Sequence, residues 1–87
     1  MKEICICAAI RTVDGEIIRG HRHGDCFHTI KRMNKEIGKK PADQGFVTSQ
    51  NRYVDREEGA RLQREAGIKS VWTGEEIKNT LFSEDLY

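Results

Sequence analysis

Eighty-seven residues allow one domain with a small core: 37% of them are hydrophobic and 7% aromatic, against 33% charged, so burying surface against a second copy would help to stabilise the chain. Fifteen basic and fourteen acidic residues leave a net charge of +1, which excludes the broad positive field of a duplex nucleic-acid binder. No apolar run approaches a membrane span, Ile4–Ile10 is too short for a signal peptide, and three cysteines, two of them in Cys5-Ile6-Cys7, do not make a secreted disulfide framework, so a cytoplasmic location is expected.

Taken in order, Ile4 to Thr12 lacks polar alternation and predicts a strand covered on both faces, or covered on one by helices and on the other by a partner chain. Asp14-Gly15 predicts a type I′ turn, with Ile17 to Arg22 returning as the second strand. Asp25 is the expected N-cap of a helix reaching Ile37, on the recurrence of Cys26, Ile30, Met33 and Ile37, with Gly38 as its stop.

The densest stretch is Gln44 to Glu58, QGFVTSQNRYVDREE. An extended segment through Phe46 meets a turn at Gln50-Asn51, Arg52-Tyr53-Val54 resumes as a strand, and Asp55 with Glu58 forms a D-x-x-E capping box for a helix from Arg56 to Ala66. Unpaired backbone N–H groups at that helix start, with Arg52 and Arg56 beside them, make a seat for a phosphate, and Phe46 or Tyr53 offers a face for a base. The plain alternative is a capped helix whose arginines pair with its own glutamates. Gly59 costs the helix about 1 kcal/mol relative to Ala, and is expected to mark close approach of another backbone in a helix–sheet or helix–helix contact.

Thr73 with Glu76 predicts a last short helix with Ile77 and Leu81 inward, and Trp72 is expected to plug a core or an interface. The closing LFSEDLY, Leu81 to Tyr87, interleaves large apolar residues with acids and is expected to dock, bringing Glu84 and Asp85 toward the central arginines. The whole is an α+β single domain over 1–87: an antiparallel sheet of two hairpins in the order β-β-α-β-β-α, with helices on one face and a short C-terminal helical appendage.

No nucleophile elbow, phosphate-binding glycine loop or zinc-protease motif is present, and no catalytic residue is expected. Cys26 near His28 suits core packing better than a Cys–His pair. The order H-x-H-x-x-C-x-H over His21 to His28 matches no usual metal-ligand spacing, so neither a metal nor a cofactor is expected. The imidazoles, His21 first among them, and Arg22 read instead as a polar rim at a second strand-to-helix junction, equivalent to the one after Val54; the plain alternative leaves His21 and His23 as exposed strand-end residues and His28 on the solvent side of the helix.

GHRHGDC (Gly20 to Cys26), QGFVTSQNRYVDREE and LFSEDLY together resemble the recurring blocks of small phage and prophage proteins and, among them, the Thoeris anti-defence sponge family. That resemblance implies a homo-oligomer that binds a cyclic nucleotide immune signal of the cyclic ADP-ribose type, possibly cyclic oligonucleotides, near a subunit interface without cleaving it. By matching positions it implies Phe46 as the stacking aromatic, Asp55 as a polar contact at the helix start, Arg52 and Arg56 as phosphate partners, and Asp85 as a hydroxyl or base contact. The family's late arginine has no counterpart, since no arginine follows Arg64. The alternative is a small phage protein that binds nucleic acid through Arg11, Arg19 and Arg22 or blocks a host protein.

Overall fold

Two hairpins of the same build carry the sheet in the computed structural model, which describes residues 2–87. Strand β1 (Cys5–Arg11) turns into β2 (Ile17–Gly20) through Val13-Asp14-Gly15, and β3 (Gln44–Thr48) turns into β4 (Tyr53–Asp55) through Ser49-Gln50-Asn51. A threonine closes each loop: Thr12 N–H donates to the Glu16 carbonyl and Thr48 N–H to the Arg52 carbonyl, both at 2.9 Å. The third loop residue is left-handed in each, Gly15 at φ 86° and Asn51 at φ 58°. Asp14 is not, so the expected type I′ turn gives way to a three-residue loop. The Thr12 hydroxyl favours that longer loop by accepting the Glu16 N–H at 3.1 Å, as the Thr48 hydroxyl accepts the Arg52 N–H at 3.3 Å.

The strand order is β2-β1-β3-β4, antiparallel throughout. The shift along the chain that carries Thr12 onto Thr48 also carries Ala9 onto Gly45, and those two residues are direct partners across β1 and β3. A pseudo-twofold axis therefore passes through the Ala9–Gly45 pair and relates two β-β-α units. Each unit ends in a helix, α1 (His23–Arg32) and α2 (Arg56–Glu65).

Both helices cover one face. Ala8 lies opposite Phe46, and Phe46 opposite Val54, so these side chains point the same way. Ala8, Ile10 and Ile18 pack with Cys26 and Ile30 of α1, while Phe46 and Val54 pack with Ala60 and Leu62 of α2. A bulge in β1 between Cys5 and Cys7 is held by α2, whose buried Gln63 accepts the Cys5 N–H at 2.8 Å.

Two helix expectations are corrected. The first helix begins at His23, with Arg22 as N-cap and Asp25 one turn inside, where its carboxylate accepts the Arg22 N–H at 3.1 Å. It stops at Arg32 because Asn34 turns left-handed at φ 58°; Met33 is exposed, and Ile37 instead bridges to Thr12. No helix follows Thr73. Gly74 is left-handed at φ 74°, the Thr73 hydroxyl accepts the Glu75 N–H inside a tight loop, and Lys69 bridges back to Glu76. Ile77 and Leu81 are nonetheless buried, in the same core as Phe46. The last segment forms a 3₁₀ turn at Ser83–Asp85. No helix among the described residues is long and apolar enough to cross a membrane.

Candidate functional site

Helix α2 starts where β4 ends, and that junction holds a guanidinium with no carboxylate among its hydrogen-bond partners. Asp55 caps the helix by accepting the Glu58 N–H at 2.8 Å. Arg56, the first helical residue, folds its guanidinium inward: Nη1 donates to the Leu81 carbonyl at 2.9 Å and Nη2 to the Gln44 side-chain oxygen at 3.2 Å, with the group 5.2 Å over the Phe82 ring. Those hydrogen bonds go to neutral oxygens. Burial pushes the Arg56 pKa down, whereas contacts with carboxylates push those of Arg11, Arg52 and Arg61 up. The positive end of the α2 dipole adds to the mismatch. A cavity of about 480 Å³ opens here, lined by Lys40, Pro41, Ala42, Asp55, Arg56, Glu57 and Thr80.

The α1 corner is occupied by the chain's own tail. His21 stacks on Tyr87 with ring centroids 4.0 Å apart. Arg22 lies 5.6 Å over the same ring, donates to the Tyr87 main-chain oxygen, and stands 3.9 Å from the Glu84 carboxylate. The tail thus runs from Arg56 at Leu81 to Arg22 at Tyr87, fastening one strand-to-helix junction to the other.

The other sequence-predicted residues lie apart from this pair of corners or beneath them. Arg52 is engaged by Glu3 through two hydrogen bonds, at 2.9 and 2.7 Å, and holds that carboxyl down to about 2. Phe46 is fully buried, with His23 edge-on at 5.1 Å, so its ring has no free face for a base in the single chain. The reason is its register, which aims it at the helices alongside Ala8 and Val54. Asp85 is buried and serves the tail: it accepts the Ser70 hydroxyl at 2.6 Å and the Phe82 N–H at 2.9 Å. Of the rival nucleic-acid set, Arg11 is paired with Asp43 at 2.7 Å, and Arg19 is engaged with the Asn51 side chain.

His23, which the sequence groups with the imidazoles of a polar rim or else leaves at an exposed strand end, is neither. It is buried, its Nε2 donates to the Gly45 carbonyl at 2.8 Å, and its Nδ1 has no partner. Burial first, and then the charge of Arg56, push its pKa down. It holds the first position of α1 as Arg56 holds the first position of α2, and the recurrence of the two junctions was the available signal.

Cys26 and Cys5 are buried thiols, pushed up to about 11 and about 12 by desolvation, which disfavours the thiolate a nucleophile needs. Among the described residues no three His, Cys, Asp or Glu side chains gather where they would hold a metal ion. The arrangement places two cations, Arg56 and Lys40, and two carboxylates, Asp55 and Glu57, around one open cavity.

A family model described as phage T4 y16D protein matches residues 4–87. The chain belongs to that family. A small phage protein, as the three sequence blocks implied, is therefore what this chain is. No curated protein and no solved structure matches it.

Proposed function

We propose that this phage protein binds a cyclic nucleotide signal of the cyclic ADP-ribose type and sequesters it intact, removing it from a host immune response. The observation that carries the reading is Arg56: a half-buried cation at a helix N-terminus, hydrogen-bonded to neutral oxygens and facing an open cavity with Lys40. A ligand phosphate would give the Arg56 guanidinium the anionic hydrogen-bond partner that Leu81 and Gln44 do not supply, while Asp55 and Glu57 on the same lining are left to accept hydroxyl groups. Holding a ligand needs preorganisation rather than chemistry, and Asp55, Gln44 and the Leu81 carbonyl already fix the corner. The protein works as a homo-oligomer with the ligand close to a subunit interface; the support is the modest core of a short chain and the exposure of Val71, Trp72 and Phe82.

Isothermal titration with cyclic ADP-ribose isomers and cyclic di- and trinucleotides, followed by chromatography of the recovered ligand, tests this reading. Tight binding with the ligand returned unchanged, abolished in Arg56→Gln, is expected. Absence of binding across the panel overturns it, and a hydrolysed ligand makes the protein an enzyme. Sedimentation with and without ligand reads the oligomer.

A further inference from the structure

Trp72, the sole tryptophan, is 70% exposed rather than plugged into a core, and Phe82 is 45% exposed. Both line one cavity of about 250 Å³, together with Thr80, Ile77 and Glu76. Thr80 also lines the cavity at Arg56, so the two hollows adjoin along the tail. The Arg56 guanidinium lies over Phe82, tying the cationic corner directly to the aromatic one.

The loop that carries Trp72 is held in place. The Ser70 hydroxyl accepts the N–H groups of Trp72 and Thr73 at 3.1 and 3.2 Å and donates to buried Asp85 at 2.6 Å. The Val71 N–H adds a bond to the Asp85 carbonyl at 3.0 Å. The backbone that carries the exposed indole is thereby ordered in folding rather than in binding, which leaves only the rotation of the side chain to be fixed by a ligand.

We infer that Trp72 and Phe82 form the base-stacking platform for the nucleotide whose phosphate sits at Arg56 and Lys40, and that this platform replaces Phe46 in that role. The inference rests on the proposed nucleotide binding at the Arg56 corner. The occupant is the planar base of a phosphorylated nucleotide: the hollow is too small for a helix or strand of a partner protein, aromatic faces accept any base, and the adjoining cavity offers Arg56 and Lys40 to a phosphate and Asp55 and Glu57 to ribose hydroxyls. Glu76, on the rim of the hollow, is placed to accept an exocyclic amino group, which favours adenine or guanine over uracil.

Because Trp72 is the only tryptophan, its emission reports the platform directly. Cyclic ADP-ribose and ribose 5-phosphate, which lacks a base, are each titrated into wild-type protein and Trp72→Ala, with fluorescence and calorimetry read in parallel. The inference expects the nucleotide to quench Trp72 emission, ribose 5-phosphate to leave it unchanged, and Trp72→Ala to bind the nucleotide at least about fivefold more weakly, with its circular dichroism unaltered. Calorimetric binding of the nucleotide with unchanged emission and unchanged affinity in Trp72→Ala overturns the platform and leaves the sequestration reading standing. Emission that follows protein concentration and ignores nucleotide makes the aromatic pair a contact between copies and likewise overturns it. Absence of calorimetric binding by every cyclic ADP-ribose isomer and cyclic di- or trinucleotide removes both readings together.

Discussion

Arg56 and Leu81 exchange two hydrogen bonds: the Leu81 N–H donates to the Arg56 carbonyl at 3.1 Å, and the Arg56 guanidinium donates back to the Leu81 carbonyl at 2.9 Å. One residue therefore anchors the tail and also presents the charge of the proposed site. Arg56→Lys keeps the charge and loses the planar fork, so nucleotide affinity is expected to fall about tenfold or more while stability drops by about 1–2 kcal/mol. Calorimetry and urea denaturation on the same samples check both. Undiminished affinity in Arg56→Lys and Arg56→Ala would place the phosphate elsewhere.

Glu84 is the tail carboxylate that serves both arginines. It lies 3.9 Å from Arg22, and its charge partly opposes the depression of the Arg56 pKa. A bound phosphate competes with it for the same positive potential. Glu84→Gln is expected to tighten nucleotide binding severalfold and steepen its salt dependence, both read by titration at two ionic strengths. A weaker complex would make Glu84 a contact of the ligand instead.

Two glycines separate a backbone requirement from a packing one. A Cβ on Gly45 would stand 1.9 Å from the Val54 carbonyl oxygen, and the paired strand cannot retreat without breaking the sheet. A Cβ on Gly59 would meet Leu81 at 3.1 Å, Cys5 at 3.2 Å and Phe46 at 3.3 Å, all through side-chain ends that shift more readily. Gly45→Ala is expected to cost more than about 2 kcal/mol, whereas Gly59→Ala, which gains about 1 kcal/mol of helix propensity, should change stability by less than about 1 kcal/mol. Denaturant midpoints decide, and equal losses at the two positions would refute the distinction.

The sheet, its two hairpins and the second helix were legible because their signals are local: Asn51 tolerates a left-handed loop end and Asp55 caps three residues before Glu58, whereas Gly59 does sit at a close contact, but with the side chains of Leu81, Cys5 and Phe46 rather than with the expected backbone. The errors arose where a local signal met a tertiary competitor. Thr73 had the spacing of a cap, yet the left-handed Gly74 and the Ser70–Asp85 contact claim that segment for a loop. Asp25 looked like a cap because the true N-cap, Arg22, has no cap-forming side chain. At the site, Arg56 could be read from its place at a helix start. The burial of Phe46 depends on strand register, the neutral hydrogen-bond partners of Arg56 on where the tail docks, and the exposure of Trp72 on a loop pinned by Asp85, none of which sequence spacing encodes.

The Glu3–Arg52 pair predicts an acid limb. The Glu3 carboxyl, ordinarily near 4.5, is held at about 2 by hydrogen bonds from Arg52 and Thr48. Its contribution is complete above the unfolded value and is lost as the pH falls from 4.5 toward 2. Glu3→Gln and Arg52→Ala should each flatten this limb in a pH series of thermal midpoints. Asp14, also held at about 2 by Thr12 and Lys35, leaves a residual slope that a further Lys35→Ala change would reduce.

His23 predicts a second dependence nearer neutrality. In the unfolded chain it titrates near 6.5, and in the folded protein burial and the Arg56 charge hold it lower. Between the two values the unfolded chain binds more protons, so the stability is complete above 6.5 and declines as the pH falls toward the folded value, levelling off below it. The neutral ring must carry its proton on Nε2 to donate to the Gly45 carbonyl, which leaves Nδ1 as a buried acceptor without a partner. Protonating Nδ1 adds a second buried charge beside Arg56, and the first turn of α1 is the part that should loosen. The urea midpoint of the wild-type protein is therefore expected to drop between about pH 7.5 and about pH 5.5, with faster amide exchange at the start of α1. His23→Gln, lower in stability but without a titrating group at this position, should show no such drop. An equal drop in the variant would assign the dependence to another group and remove His23 from the account.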